Sequence, residues 1–304
     1  MGTFWRDNLN PDDDGQRIAI TRGEWIDESR DDRKIPYKLY VPKETNEPLP
    51  LVIWSHGLGG SRDGAGFLSR FIAGHGYAVL NIQHPGTDLS LWVGKPGHPW
   101  DAIRAVKLTD DVKIARFYDV EHVLTRLDAL AEEANISLDL NNIGFSGHSM
   151  GAITTQVMAG QKFRGKSYKS GAFKAFLPYS QMPCRDGSEN PYDDMSAPLF
   201  MMTGTEDDSP VDGYDYTARQ EVFKDMPEST TRYALILKDG DHMVFAGSRG
   251  QLEGYDKIPE HERIIKIASL AWWDWHLKGD KKAHEWLNND LEDWSEGEAS
   301  LEHF

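Results

Sequence analysis

"NNIGFSGHSMGAITTQ", Asn141 to Gln156, decides how this chain is read. Ile143, Gly144 and Phe145 are the end of an apolar run with strand character, and Ala152 to Ala159 has the composition of a helix. Between them the chain must turn sharply. The pattern G-x-S-x-G, formed by Gly147, Ser149 and Gly151, puts a serine at the tip of that turn and glycines where side chains would collide. A serine hydroxyl in such a place is a poor nucleophile by itself. It needs a base to take its proton, a group to orient that base, and donors for the charge that develops on a substrate.

Outward from this turn, strand and helix signals alternate. "KIPYKLYVP" (Lys34 to Pro42) alternates like an edge strand, and "LPLVIWSHG" (Leu49 to Gly57) is a continuous apolar run of the buried, parallel kind. "GAGFLSRFIAGHG" carries Phe67, Leu68, Phe71 and Ile72 at helical spacing, and "YAVLNIQHPG" (Tyr77 to Gly86) reads as the next strand. A helix is expected over Phe117 to Ala134, with Val120, Val123, Leu124, Leu127 and Leu130 on one face. Further strands are expected in Ala172 to Ser180, Pro198 to Pro210 and Thr231 to His242, and an amphipathic helix through "HERIIKIASLAWWDWHL", whose tryptophans are most simply core. Alternating strands and helices imply right-handed crossovers: an α/β fold with a mostly parallel central sheet and helices on both faces. The expected organisation is one domain over residues 1–304, with a short, irregular, lid-like insertion at about 87–108. That insertion lies just beyond a strand C-terminus, where such sheets bind ligands.

Composition narrows the function. The formal charge of −16 argues against nucleic acid and anionic membranes as partners, since both need basic patches. No apolar run reaches the roughly 18 residues of a membrane span, and the start lacks a signal-like apolar stretch, so a reducing cytoplasm is the expected location. The single cysteine, Cys184, excludes an internal disulfide and sits in a polar loop with no strand–turn–helix context. His84, His98 and Asp88 lack metal-ligand spacing, "PDDDG" at Asp12 to Asp14 lacks the glutamate of a calcium loop, and "HGLGG" lacks a phosphate-loop lysine. Neither a metal nor a cofactor is expected.

The chemistry that Ser149 requires is found at later strand ends. "PLFMM" runs into "TGTEDDSP" and "YALIL" into "KDGDHMVF", so an acid follows one strand and a histidine the next. The order Ser, Asp, His suits a serine on a strand–turn–helix. His242 is the expected base. Asp207 is the expected acid, with Asp208 as the alternative if the turn holds one more residue. The backbone N–H groups of Met150, after the serine, and of Leu58, in "SHGLGGSRDG", are the expected oxyanion donors. Trp92, Val93 and Trp100 in the insertion, and Met182 after "AFLPYS", are candidates for contact with substrate. His148, beside the serine, is expected to pack or hydrogen-bond.

"SHGLGG", "GHSMG", "TGTEDDSP" and "GDH", in this order, resemble the α/β-hydrolase fold over about Lys34 to His276. Within it, "LVIWSHGLGGSRDGAGFLSRFIAGHGYAVLNIQHPGTD" is most similar to bacterial dienelactone-hydrolase-like and platelet-activating-factor-acetylhydrolase-like esterases. Dienelactone hydrolases proper use a cysteine where this chain has Ser149. In the eukaryotic acetylhydrolases the acid follows an earlier strand, which here ends in Ser180-Gln181. The resemblance implies a cofactor-free serine carboxylesterase acting through an acyl-enzyme on a small-molecule ester; the insertion and the abundant aromatic residues point to a small or medium hydrophobic or aromatic one, and "GHSMG", which resembles the motif of cutinase-like polyester hydrolases, adds polyester fragments. Amide or thioester hydrolysis, acyl transfer, or a non-catalytic binding role on the same fold are the alternatives.

Overall fold

A computed structural model of the chain describes residues 4–45, 47–211, 213–247 and 259–304. Among these residues nine strands form one sheet: β1 (Ile18–Asp27), β2 (Arg33–Pro42), β3 (Leu49–Ser55), β4 (Ala78–Ile82), β5 (Leu138–His148), β6 (Ala175–Tyr179), β7 (Leu199–Glu206), β8 (Arg232–Asp241) and β9 (Ala299–His303). Their spatial order is β1-β2-β4-β3-β5-β6-β7-β8-β9. From β4 to β8 every neighbouring pair is parallel, while β1, β2 and β9 join antiparallel. Every residue of β3, β4 and β6 is buried, as expected of strands covered on both faces, and this accounts for their unbroken apolar runs.

The helices are α1 (Gly66–Gly74), α2 (Pro99–Ala105), α3 (Asp110–Leu124), α4 (Leu127–Ala134), α5 (Met150–Ala159), α6 (Tyr216–Arg219), α7 (Glu221–Asp225), α8 (Pro259–Lys278), α9 (Lys281–Asn289) and α10 (Leu291–Trp294). Two apolar cores occupy the two faces of the sheet. One gathers Phe71 of α1 with Ile264, Trp272 and Trp273 of α8 against Trp54 and Phe200. The other packs Phe117, Val120 and Val123 of α3 against Ile53, Phe145 and Met201. Trp272 and Trp273 are wholly buried, as expected of core tryptophans. A Cβ on Gly144 would lie 2.5 Å from the Trp273 ring, so this glycine lets α8 approach β5. No helix among the described residues is long and apolar enough to cross a membrane.

The structure corrects several sequence expectations. Lys34 to Pro42 is no edge strand: β2 lies between β1 and β4, antiparallel to both. The edge is β1, whose "TRGEW" centre carries charge and a glycine and so gives no strand signal. The helix expected over Phe117 to Ala134 is two helices. At the end of α3 the Thr125 hydroxyl donates to the His122 carbonyl at 2.7 Å, and α4 begins at Leu127. Nor is the 87–108 insertion irregular throughout. It holds a 3-10 turn (Leu89–Leu91) capped by Asp88 and helix α2 capped by His98. Beyond α8 the chain adds α9, α10 and β9, which pairs with β8 and forms the sheet's other edge.

Because β3 to β8 run in parallel, their C-terminal ends meet along one side of the sheet. Ser55-His56, Gln83-His84, His148-Ser149, Glu206-Asp207 and Asp241-His242 all emerge there. The register of β7 on β8 matters most. Gly204 pairs with Leu237 but Glu206 with Asp241, so β8 spends four residues where β7 spends two. A Cβ on Gly204 would meet the Gly240 carbonyl oxygen at 2.2 Å. This irregularity brings the residues after the two strands, Asp207 and His242, side by side.

Three buried histidines and the partly buried His276 have pKa values held down by loss of solvation: His56 well below its ordinary value, His84 to about 4, His148 to about 3 and His276 to about 3. Each is neutral in the fold, whereas the unfolded chain protonates its histidines below about pH 6.5. The unfolded state therefore binds more protons between pH 6.5 and about 4, and stability falls as pH falls through that window. The melting temperature is expected to drop steadily from pH 7 to pH 4. The drop should be shallower in His276→Phe, which removes one such group against Trp272 and Trp275; equal slopes in calorimetry would contradict this account.

Candidate active site

Ser149 sits at φ 56° and ψ −114°, a left-handed conformation that a residue with a side chain adopts only under constraint. The constraint is visible around it. Its N–H donates to the Tyr179 carbonyl of β6 at 2.9 Å, and α5 starts at the very next residue. A Cβ on Gly151 would stand 1.9 Å from the Ser55 carbonyl oxygen, and one on Gly147 would stand 2.4 Å from the Gly151 carbonyl oxygen. The glycines of the motif are therefore required by backbone–backbone packing of β3, β5 and α5. That packing aims the Ser149 hydroxyl out of the sheet end.

Three side chains from three strand ends form a hydrogen-bonded line. Ser149 Oγ is 3.0 Å from His242 Nε2, and His242 Nδ1 is 2.7 Å from Asp207 Oδ1. Asp207 is fully buried. Its Oδ2 accepts from the Thr203 hydroxyl at 2.8 Å, and Arg219 Nη2 lies 3.0 Å from Oδ1. Burial pushes the Asp207 pKa up, but the Arg219 guanidinium and His242 outweigh it, and the carboxyl is held below its usual range. An ionised Asp207 accepts the Nδ1 proton of His242, which leaves Nε2 free to accept from Ser149. Asp208 points elsewhere: it is exposed, and its N–H bonds the Glu206 carbonyl at 2.9 Å.

His148 supports His242 from beneath. It is neutral, its Nε2 donates to the His242 carbonyl at 2.8 Å, and the two rings lie 4.7 Å apart. Arg219 was not legible in the sequence, since it belongs to the one-turn helix α6 and no local motif marks it. It also donates through Nε to the Asp207 carbonyl at 2.8 Å and through Nη1 to the Ser180 carbonyl at 3.0 Å. It thus braces the acid against the end of β6.

The turn after β3 is held as firmly. His84 N–H donates to His56 Nε2 at 3.0 Å, so His56 carries its proton on Nδ1 and donates it to the Gly57 carbonyl at 2.6 Å. Gly59 N–H bonds the Thr87 carbonyl at 2.8 Å. Among the described residues, no protein acceptor engages the N–H of Leu58 or that of Met150. Behind this turn lies a second residue that sequence reading missed, the wholly buried Arg116 of α3. Its guanidinium donates to the Ser55 hydroxyl (2.9 Å), the His56 carbonyl (2.6 Å), the Thr87 hydroxyl (2.7 Å) and the Thr154 hydroxyl (3.0 Å). All four acceptors are uncharged, and burial lowers the Arg116 pKa to about 9. One side chain therefore ties the β3 turn, the β4 turn and α5 together. Beside it, His84 donates to Asp119, which Arg33 and Arg30 also engage.

A cavity of about 490 Å³ opens over Ser149 and His242, walled by Leu58, Trp54, Trp92, Trp100 and Ile103. Trp92 is pinned by its Nε1 donating to the Gly59 carbonyl at 2.7 Å. Val93 is absent from this wall and half-exposed at 51%, so the structure gives it no place in the cavity. Met182 lies on a different cavity, where its sulfur accepts from the Tyr214 hydroxyl at 2.8 Å. Among the described residues, no group of His, Cys, Asp and Glu is arranged to hold a metal ion. His84, Asp88 and His98 are engaged with Ser55 and Asp119, with Gln83 and Ser90, and with the N–H of Trp100.

Gly151→Ala is expected to cost more than about 3 kcal/mol, because the added methyl meets backbone that cannot move aside; thermal unfolding measures this. Arg116→Met should cost a further few kcal/mol by leaving four buried acceptors without a donor.

In sequence comparison, residues 27–91 match the family model of platelet-activating factor acetylhydrolase, isoform II. No curated protein matches the chain. The matched segment runs from the end of β1 through the β3 turn to the start of the insertion. The chain thus has the mostly parallel sheet of an α/β-hydrolase fold, and over residues 27–91 it is similar to the platelet-activating factor acetylhydrolase family.

Proposed function

We propose that the chain is a serine carboxylic ester hydrolase that works through an acyl-enzyme. The observation that carries this reading is the line Asp207–His242–Ser149, ending on a strained serine beside the unengaged N–H groups of Leu58 and Met150. His242 Nε2 takes the Ser149 proton as Oγ attacks the ester carbonyl carbon. The imidazolium is stabilised by Asp207, which Arg219 and Thr203 keep in place. The carbonyl oxygen gains a negative charge and accepts from the N–H groups of Leu58 and Met150, each such donor being worth about 3–4 kcal/mol in the transition state. The tetrahedral species collapses, the alkoxide leaves with the proton from His242, and Ser149 carries the acyl group. Water then gives a proton to His242 and attacks the acyl carbon, and collapse returns the proton to Ser149 Oγ and releases the acid.

The cavity supports a substrate class. Trp54, Leu58, Trp92, Trp100 and Ile103 give it an apolar wall, and among the described residues Asp63 is the one acidic side chain on it, which suits small or medium hydrophobic or aromatic esters. A polyester fragment with an aromatic unit fits the same description. Thioesters and activated amides present the same electrophile to the same groups, and a competing alcohol in place of water would turn hydrolysis into acyl transfer.

Hydrolysis of a p-nitrophenyl ester series, acetate to palmitate, tests the reading. Wild type is expected to be active on the shorter members. Ser149→Ala and His242→Ala should each lose at least about 10⁴-fold in kcat with the circular dichroism spectrum unchanged. Asp207→Asn should lose about 10³- to 10⁴-fold, while Asp208→Asn stays within about twofold. A wild type inert on every ester, or an active Ser149→Ala, would remove the assignment and leave an amide hydrolase or a binding protein.

A further inference from the structure

A second cavity, of about 480 Å³, lies along the other side of the first turns of α5. Its wall begins with Met150, directly after Ser149, and continues with Ile153, Phe117 and Phe163. Its charged groups are unlike the rest of the molecule. The chain has 49 acidic residues against 33 Lys and Arg, yet this wall holds Lys113, Arg116, Arg164 and Arg185 against Asp186 alone. Two of the cations have acidic partners: Arg164 pairs with Asp110 at 2.8 Å and Arg185 with Glu221 at 2.7 Å. The other two do not. Arg116 donates only to uncharged oxygens, and among the described residues the Lys113 ammonium has no carboxylate within ion-pair distance. Asp186 is occupied, accepting from the Ser188 hydroxyl at 2.6 Å and from the Arg164 N–H at 2.7 Å.

We propose that this cavity binds a carboxylate attached to an apolar body, with Lys113 meeting the anion and Phe117, Ile153 and Phe163 covering the hydrocarbon. Two features fit that chemistry. An anion is repelled by the molecule as a whole but not by this wall, where a buried guanidinium and an unpaired ammonium add their fields. The apolar side chains would leave a simple inorganic anion largely unsolvated, which favours an amphiphile. Met150, the residue after Ser149, lines this cavity but not the one over the serine, and the two sources of such a ligand to be told apart are the far end of a substrate whose ester lies at the serine and a free carboxylate such as a released product. The first of these rests on the esterase reading; the second does not.

Two measurements separate the cases. The first compares p-nitrophenyl hemiesters of dicarboxylic acids, glutarate to sebacate, with neutral p-nitrophenyl esters of equal chain length, on wild type, Lys113→Gln and Lys113→Glu. If the far end of the substrate binds here, one hemiester length is favoured by wild type. Lys113→Gln then raises its KM about tenfold, in line with loss of one charge-assisted bond at a partly open site, and Lys113→Glu raises it further. The neutral esters keep their constants in all three proteins. The second measurement titrates octanoate into the same three proteins by isothermal calorimetry. Binding that weakens about tenfold in Lys113→Gln, with no hemiester preference, assigns the cavity to a free carboxylate. Octanoate that fails to bind, or binds equally to all three, together with hemiesters that respond to neither substitution, overturns the proposal. Neutral esters left untouched by wild type would sink the esterase reading, and octanoate alone would then decide the cavity.

Discussion

The whole site depends on how closely three pieces of backbone approach one another. The Ser55 carbonyl at the end of β3, the turn at Gly147 to Gly151 and the first turn of α5 meet with no room for a methyl group. That contact fixes Ser149 in its strained conformation and sets α5 with its N-terminus at the sheet end. It also places the β3 turn, with Leu58, beside Met150. The cost of the strained residue, about 1–3 kcal/mol, is carried by the sheet and by the cores on either side of it.

Polar groups then lock what packing has placed. Two buried arginines divide the task. Arg219 fastens Asp207 and the end of β6, and Arg116 fastens the turns of β3 and β4 to α5. They differ electrostatically. Arg219 faces a carboxylate and forms a buried ion pair, while Arg116 faces only neutral oxygens and keeps its charge uncompensated at close range. His148 and His84 remain neutral beside these cations. Burial strips their protons, and so each can serve as a fixed donor on one nitrogen.

Much of this was legible in the sequence, for identifiable reasons. Parallel strands bring their C-terminal ends together, so residues after "NIGFSGH", "PLFMM" and "YALIL" must be neighbours once those runs are recognised as strands. Ser149, Asp207 and His242 are expected to meet for that reason, and the structure sets them in one hydrogen-bonded line, with Leu58 and the two insertion tryptophans in the cavity wall beside them. Single residues on helices are different. Arg116 and Arg219 act through tertiary contacts only, and the sequence around each is ordinary. β1 and β9 were missed because edge strands with charged residues lack the apolar signature of buried ones, and the break at Thr125 because it interrupts no hydrophobic spacing. Val93 neighbours Trp92 just past the 3-10 turn, but only the tryptophan is tied inward, by its bond to the Gly59 carbonyl.

The two edge strands have a meaning beyond closing the list of elements. β1 shows the exposed Arg22 and Glu24 near its middle, and β9 ends in Glu302 and His303. A nine-stranded sheet would otherwise offer two long rows of unpaired amides to any extended chain nearby. Charged residues on those borders make strand addition from a neighbouring molecule costly, since each new pairing would bring like or unsolvated charges into register. The same charged positions that hid β1 and β9 from sequence reading therefore guard the sheet against growing from one molecule into the next.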